Sequence, residues 1–93
     1  METILYGFQI SPGLDDEFSF HQTLAECQEQ TLVHRVEIKR EEPELYADLG
    51  GMAVYRFTLR QPTQEDFLVV LNERKSLLNA CVVERQLVAL VVD

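Results

Sequence analysis

Apolar residues recur at every second position from Thr3 to Ile10, with Ile4, Tyr6, Phe8 and Ile10 on one side and Leu5, Gly7 and Gln9 on the other, which predicts a strand. Ser11-Pro12-Gly13 marks a turn, and Asp15-Asp16 offer cap residues and negative charge suited to a helix start. Phe20, Leu24 and Cys27 then recur at helical spacing, flanked by Phe18, His21 and Ala25, so a helix is expected over Asp16–Gln30. Alternation returns over Thr31–Arg40, where Leu32, His34, Val36 and Ile38 oppose Val33, Arg35, Glu37 and Lys39, and this predicts a second strand. Glu41–Gly51, with Pro43 and the Gly50-Gly51 pair, reads as a connection. A third strand over Met52–Arg60 places Ala53, Tyr55, Phe57 and Leu59 together and ends before Pro62. Thr63, with Asp66 three residues on as a weakened capping box, opens a second helix whose buried stripe is Phe67, Val70, Leu71 and Leu78, with Asn79 as its left-handed stop. Cys81–Val92 is β-branched and apolar, a final strand with an irregularity at Glu84-Arg85-Gln86.

The resulting order, β-α-β-β-α-β, predicts an α+β ferredoxin-like sandwich over residues 1–93, with two helices on one face of a four-stranded antiparallel sheet in spatial order 4-1-3-2. If the helices cover the face carrying Tyr6, Phe8, Val36, Ile38, Tyr55, Phe57 and Leu59, the open face carries Arg35, Lys39, Arg56 and Arg60, beside Gln9, Glu37 and Thr58. That cationic face is a candidate site for a protein partner. The outward positions comparable to those of RNA-reading sheets hold Leu5, Gly7, Arg56 and Thr58, so no stacking platform and no nucleic-acid partner is expected. The same charge argues against two open faces packing together. The last strand is apolar toward both faces yet is expected at a sheet edge, which makes Leu87, Val88, Leu90 and Val92 a candidate dimer edge.

Composition narrows the function classes. At 93 residues, 46% hydrophobic and 26% charged, the chain is expected to fold as one domain with an ordinary core. A net charge of -8 excludes a binder of nucleic acid or membrane surface that depends on overall positive charge. No basic segment precedes an apolar stretch at the N-terminus, and the longest apolar run, Leu87 to Val92, falls far short of the roughly 20 residues of a membrane span. A cytoplasmic protein with no membrane attachment of its own is expected. Cys27 and Cys81 sit in apolar patterns and read as reduced core residues, and His21 and His34 as partly buried structural ones. No HxxxH, CxxC or clustered carboxylate spacing points to a metal or other cofactor, and no serine or cysteine has a nucleophile context. Gly7-Phe8-Gln9-Ile10 resembles the start of the acylphosphatase phosphate loop but leads to Asp15 and Asp16 where that family has an arginine. The chain is not expected to be an enzyme.

Ile10-Ser11-Pro12-Gly13-Leu14 resembles the Asp-x-Pro-Gly-x-Leu type turn of ACT domains, small regulatory modules, although the first acidic position is unfilled. Val33–Ile38 together with Tyr55–Pro62 resembles the strand pair in the C-terminal ACT-like domain of MgtC/SapB-type membrane proteins. The resemblance implies side-by-side homodimers and a small ligand near Ser11, Pro12, Gly13 and Leu14, while Asp15 and Asp16 disfavour an amino-acid carboxylate there. The expected function is a non-enzymatic regulatory or interaction module acting through dimerisation and ligand- or partner-linked association. The alternative is a small acidic protein of phage or plasmid type that inhibits or adapts a macromolecular partner.

Overall fold

In the computed structural model, which describes residues 1–93, the chain runs β1 (Glu2–Gln9), β2 (Phe18–His21), α1 (Leu24–Glu41), α2 (Pro43–Asp48), β3 (Met52–Arg60), α3 (Gln64–Leu71), α4 (Leu77–Cys81) and β4 (Val82–Val91). The fold is α+β with one open, fully antiparallel sheet in the order β2-β1-β3-β4. This order replaces the expected 4-1-3-2, and two hairpin-like strand pairs replace the βαββαβ sequence. β4 does lie at an edge, but beside β3 rather than β1.

The Pro12-Gly13 turn joins two strands, not a strand and a helix. Leu14 N–H donates to the Ser11 carbonyl at 3.0 Å, and Gly13, at φ +86°, supplies the left-handed third position that such a Pro-Gly turn needs. Phe18-Ser19-Phe20-His21 then pairs with β1 in register Tyr6↔His21 to Gln9↔Phe18. The first helix therefore starts eight residues later than expected from Asp16, capped by Thr23, whose hydroxyl accepts from Glu26 N–H at 3.2 Å.

From there α1 runs through the whole of the expected second strand. It buries Cys27, Thr31, Arg35 and Ile38, one stripe at helical spacing, and leaves Leu32, Val33 and Val36 exposed. The Thr31 hydroxyl donates to the Cys27 carbonyl at 2.6 Å, so this buried polar group is satisfied within the helix. α1 ends at Glu41 because Glu42, as the residue before Pro43, is pushed to φ -134° and out of the helical region.

α1 carries the chain from β2 to β3, which are both antiparallel to β1 and hence parallel to each other on either side of it. The helix lies on one face of the sheet, and the core between them is Phe8, Cys27, Ile38, Met52 and Val54, closed at its margins by Leu24, Tyr46, Leu49, Ala89 and Val91. Arg35, 4% exposed, ties this layer to the chain end: its Nη2 lies 2.9 Å from Asp93 Oδ1 and its Nη1 donates to the Gly50 carbonyl at 2.7 Å. Tyr46 Oη also donates to Asp93, at 2.6 Å.

The expected second helix begins where predicted, with the Thr63–Asp66 capping box formed in both directions. It then breaks in two. Glu73, at φ 58°, turns the chain after α3, and Ser76 caps α4. Arg60 holds this arm to the sheet through a bidentate contact with Asp66 and a bond to the Ala80 carbonyl. β4 returns along β3 with register shifts opposite Val54/Tyr55 and Thr58/Leu59, so Val83 and Val88 are the unpaired bulge residues, flanking the expected irregularity. The arm stretches the molecule to a radius of gyration of 14.8 Å, where a compact chain of this length has about 12 Å.

Candidate interaction surface

The pairing of β1 with β3 decides which side chains meet. Phe8 stands opposite Val54 and Leu5 opposite Phe57, so Tyr6 and Phe8 share the α1-covered face with Val54, while Leu5 and Gly7 share the other face with Tyr55, Phe57 and Leu59. The alternation of hydrophobic residues alone places Tyr55, Phe57 and Leu59 on the face of Tyr6 and Phe8 instead. A one-residue difference in relative register separates the two arrangements and turns the uncovered face from cationic to aromatic.

That face is built across all four strands: Phe18 and Phe20 from β2, Leu5 and Gly7 from β1, Tyr55 and Phe57 from β3, Arg85 and Leu87 from β4. Phe57 sits at its centre, 1% exposed with no helix above it. Its ring meets Phe18 at 5.2 Å and Phe20 at 5.3 Å, both edge-on. Gly7 makes this possible, because a Cβ there would lie 3.1 Å from ring carbons of both Phe20 and Phe57. The guanidinium of Arg85 lies over the cluster, 4.0 Å from the Tyr55 ring centre and 5.3 Å from that of Phe18. Asp15, reaching over from the β1–β2 connection, holds Arg85 at 3.1 Å. The bond to Arg85, helped by one from Gln9, holds the Asp15 carboxyl below its ordinary value, and the same pairing raises Arg85. The expectation of an uncovered face without stacking aromatics therefore does not hold: Phe18, Phe20, Tyr55 and Phe57 lie on it, with Phe18 and Phe20 tilted 35° to each other and Tyr55 and Phe57 tilted 56°.

Around this centre the surface is apolar and open. Phe20 is exposed, as are Leu87 at 54% and Leu90 at 64%. At the far end α4 approaches the same face, and Thr3, Leu5 and Leu59 from the sheet with Leu77 and Cys81 from the arm line a depression of about 370 Å³. Phe67, Leu68 and Leu71 on α3 are exposed without a covering element.

The residues singled out in the sequence are distributed as follows. Leu87 and Leu90 of the candidate dimer edge lie on the uncovered face; Val88 is a half-buried bulge residue against the core, and Val92 is exposed beyond the strand end. Arg35, Lys39, Arg56 and Arg60 do not form one sheet face. Arg35 and Lys39 are on α1, Arg35 being buried on Asp93; Arg56 donates to Gln86 on the α1 side of β3, and Arg60 is bound to Asp66. Ser11, Pro12, Gly13 and Leu14 form the β1–β2 turn, beside Gln9, Asp48 and the Gly50-Gly51 stretch on one side and His34, Glu42 and Leu45 on the other. No arginine or lysine lines those two depressions.

Cys27 and Cys81 are buried free thiols, and burial pushes the Cys27 thiol up to about 11, away from nucleophilic use. His21 and His34 flank Phe8; Nε2 of His34 donates to the Ile10 carbonyl at 2.7 Å, and His21 pairs with the Ser19 hydroxyl at 2.9 Å. Phe18, Phe20 and Arg85 were missed as surface residues. The signal was the Phe18-Ser19-Phe20-His21 alternation, too short a run to outweigh the helical spacing around it. No helix is long and apolar enough to cross a membrane. No family model, curated protein or solved structure matches this chain.

Proposed function

We propose that the chain is a non-enzymatic interaction module that works as a homodimer. The observation that carries this reading is surface area. The chain exposes 6421 Å², whereas a folded monomer of 10.7 kDa exposes about 5,500 Å², an excess of roughly 900 Å². A standard protein interface removes about 800 Å² from each partner, so the excess is what one such interface would cover. Two further features support the reading. β2, α1 and β3 form a split βαβ unit, the element this chain shares with the ferredoxin-like and ACT-like sandwiches, and side-by-side association is what the ACT resemblance implies. The two buried free thiols fit a reducing compartment such as the cytoplasm.

Light scattering on the full chain tests the proposal. The expected mass is twice 10.7 kDa at micromolar concentration, with reversible dissociation on dilution. A mass of one chain at every concentration up to millimolar would overturn it. The adaptor reading draws on the exposed acidic corner of Glu41, Glu42 and Glu44, and on it the monomer would bind a basic macromolecule with an on-rate that falls steeply with salt.

A further inference from the structure

We propose that the second copy seats on the uncovered sheet face, Phe20, Leu87 and Leu90 of each protomer packing against the other's sheet, and that the β4 edge stays free. This rests on the homodimer reading and names the surface that serves it. Three observations select the face over the edge.

The first is the condition of the edge. Adding a strand requires an unbroken row of outward N–H and C=O groups, and β4 is interrupted at Val83 and Val88. Two bulges within ten residues twist such an edge away from a partner strand. The second is area. Edge pairing joins narrow rims, whereas the face presents a four-stranded surface with exposed apolar side chains at both margins, the broader of the two to set against an excess of roughly 900 Å². The α3–α4 arm, rising at one end of that face, gives each copy a wall against which the other can lodge.

The third is charge. A chain of net charge -8 repels its own copy, and the repulsion is least where the meeting surfaces add no like charges at close range. On the uncovered face the strand pattern places one charged side chain, Arg85, which Asp15 neutralises at 3.1 Å, and Arg60, which lines the depression at the arm end, is neutralised by Asp66. Of the two other exposed apolar groups, Leu32, Val33 and Val36 on α1 lack this property, because Glu29, Glu37 and Arg40 surround them on one helix, and Phe67, Leu68 and Leu71 make only a narrow strip on the eight-residue α3. A neutral, apolar, broad face is therefore available to a second acidic copy, and no other region of the molecule combines those qualities.

The experiment compares the wild type with Leu87→Glu and Val36→Glu by light scattering and sedimentation, with circular dichroism to verify that each is folded. Both residues are more than half exposed in the monomer, so neither substitution opens a cavity. Leu87→Glu is expected to weaken the dimer by about 100-fold or more, because the two-fold axis buries an unpaired carboxylate twice. Val36→Glu is expected to leave it unchanged. Hydrogen exchange on the wild type gives an independent readout: the outward β4 amides should exchange as fast in the dimer as in the diluted monomer. A dimer that survives Leu87→Glu, or β4 amides protected on dimerisation, would overturn the face and leave the homodimer intact. A wild type that is monomeric throughout would overturn the homodimer itself.

Discussion

The two faces of the sheet bury aromatic and aliphatic side chains by different means. Under α1, Phe8 at 4%, Met52 at 4% and Val54 at 0% exposure are covered by a helix that arrives from elsewhere in the chain. On the opposite face Phe57, at 1%, is covered only by its cross-strand neighbours and by Arg85. A helix shields a whole layer, including its margins. A cluster of rings on one sheet shields its centre and leaves a rim, here Phe20, Leu87 and Leu90, facing water. The difference separates a finished core from one that needs a second surface to finish it.

The sharpest way to break that comparison is to empty each centre. Phe57→Ala should cost about 3–4 kcal/mol and Val54→Ala about 2 kcal/mol, both by removing packed atoms and leaving space that the surroundings fill only in part. Urea unfolding at fixed protein concentration measures both. If the aromatic cluster is surface decoration and not a second core, Phe57→Ala will cost less than Val54→Ala, and the equivalence of the two centres fails.

How far these faces could be read from the chain depends on the range of the interaction that sets them. The period-two runs of β1 and β3 and the β-branched, apolar run of β4 are local and appear where expected, as do the Thr63–Asp66 cap and the burial of both cysteines. Thr31–Arg40 is β-branched and alternating, yet it is helical, because α1 needs Cys27, Thr31, Arg35 and Ile38 on one side, and two of those four are polar. Arg35 reads as a surface cation until Asp93, at the far end of the chain, meets it. The register of β1 against β3 is likewise non-local, and a slip of one residue there exchanges the two faces. Thus the aromatic surface was within reach as a list of residues and out of reach as a surface.

A second test uses the carboxylates that tie each face down. Asp93 serves the α1 side, held below its ordinary value first by the Tyr46 hydroxyl and then by Arg35; Asp66 secures the arm through Arg60 and the Thr63 backbone N–H. Asp15 serves the aromatic side through Arg85. All three titrate lower folded than unfolded, so the unfolded chain takes up protons first. Their contribution is complete above the ordinary carboxylate range, near pH 4, and is lost as pH falls through the folded values. Urea midpoints should be flat from neutrality to about pH 5 and fall below pH 4. Asp66→Asn should flatten that acid limb more than Asp15→Asn, because Asp66 is the more deeply enclosed and accepts from a backbone N–H as well as from arginine. An acid limb that Asp15→Asn flattens most would make Arg85–Asp15 a stronger anchor than the Arg60–Asp66 pair that holds the arm.

The smallest expected effect lies at Gly7. An alanine there lowers the entropy of the unfolded chain, which favours folding by about 0.5 kcal/mol, but its Cβ would meet Phe20 and Phe57 ring carbons at 3.1 Å, and overpacking of this kind costs about 1–3 kcal/mol. A net loss of about 1 kcal/mol is expected from those opposing terms. Which ring moves is informative. Phe57 is enclosed on every side, whereas Phe20 is 38% exposed and can swing toward solvent. If Phe20 yields, Phe20→Leu should remove most of the penalty of Gly7→Ala, and the two substitutions will be non-additive in a double-mutant cycle. If Phe57 must yield, the cycle is additive and Gly7→Ala costs as much in either background. The first result describes a rim that adjusts around a fixed centre, as a face that receives a second copy requires; the second describes a face as rigid as the one beneath α1.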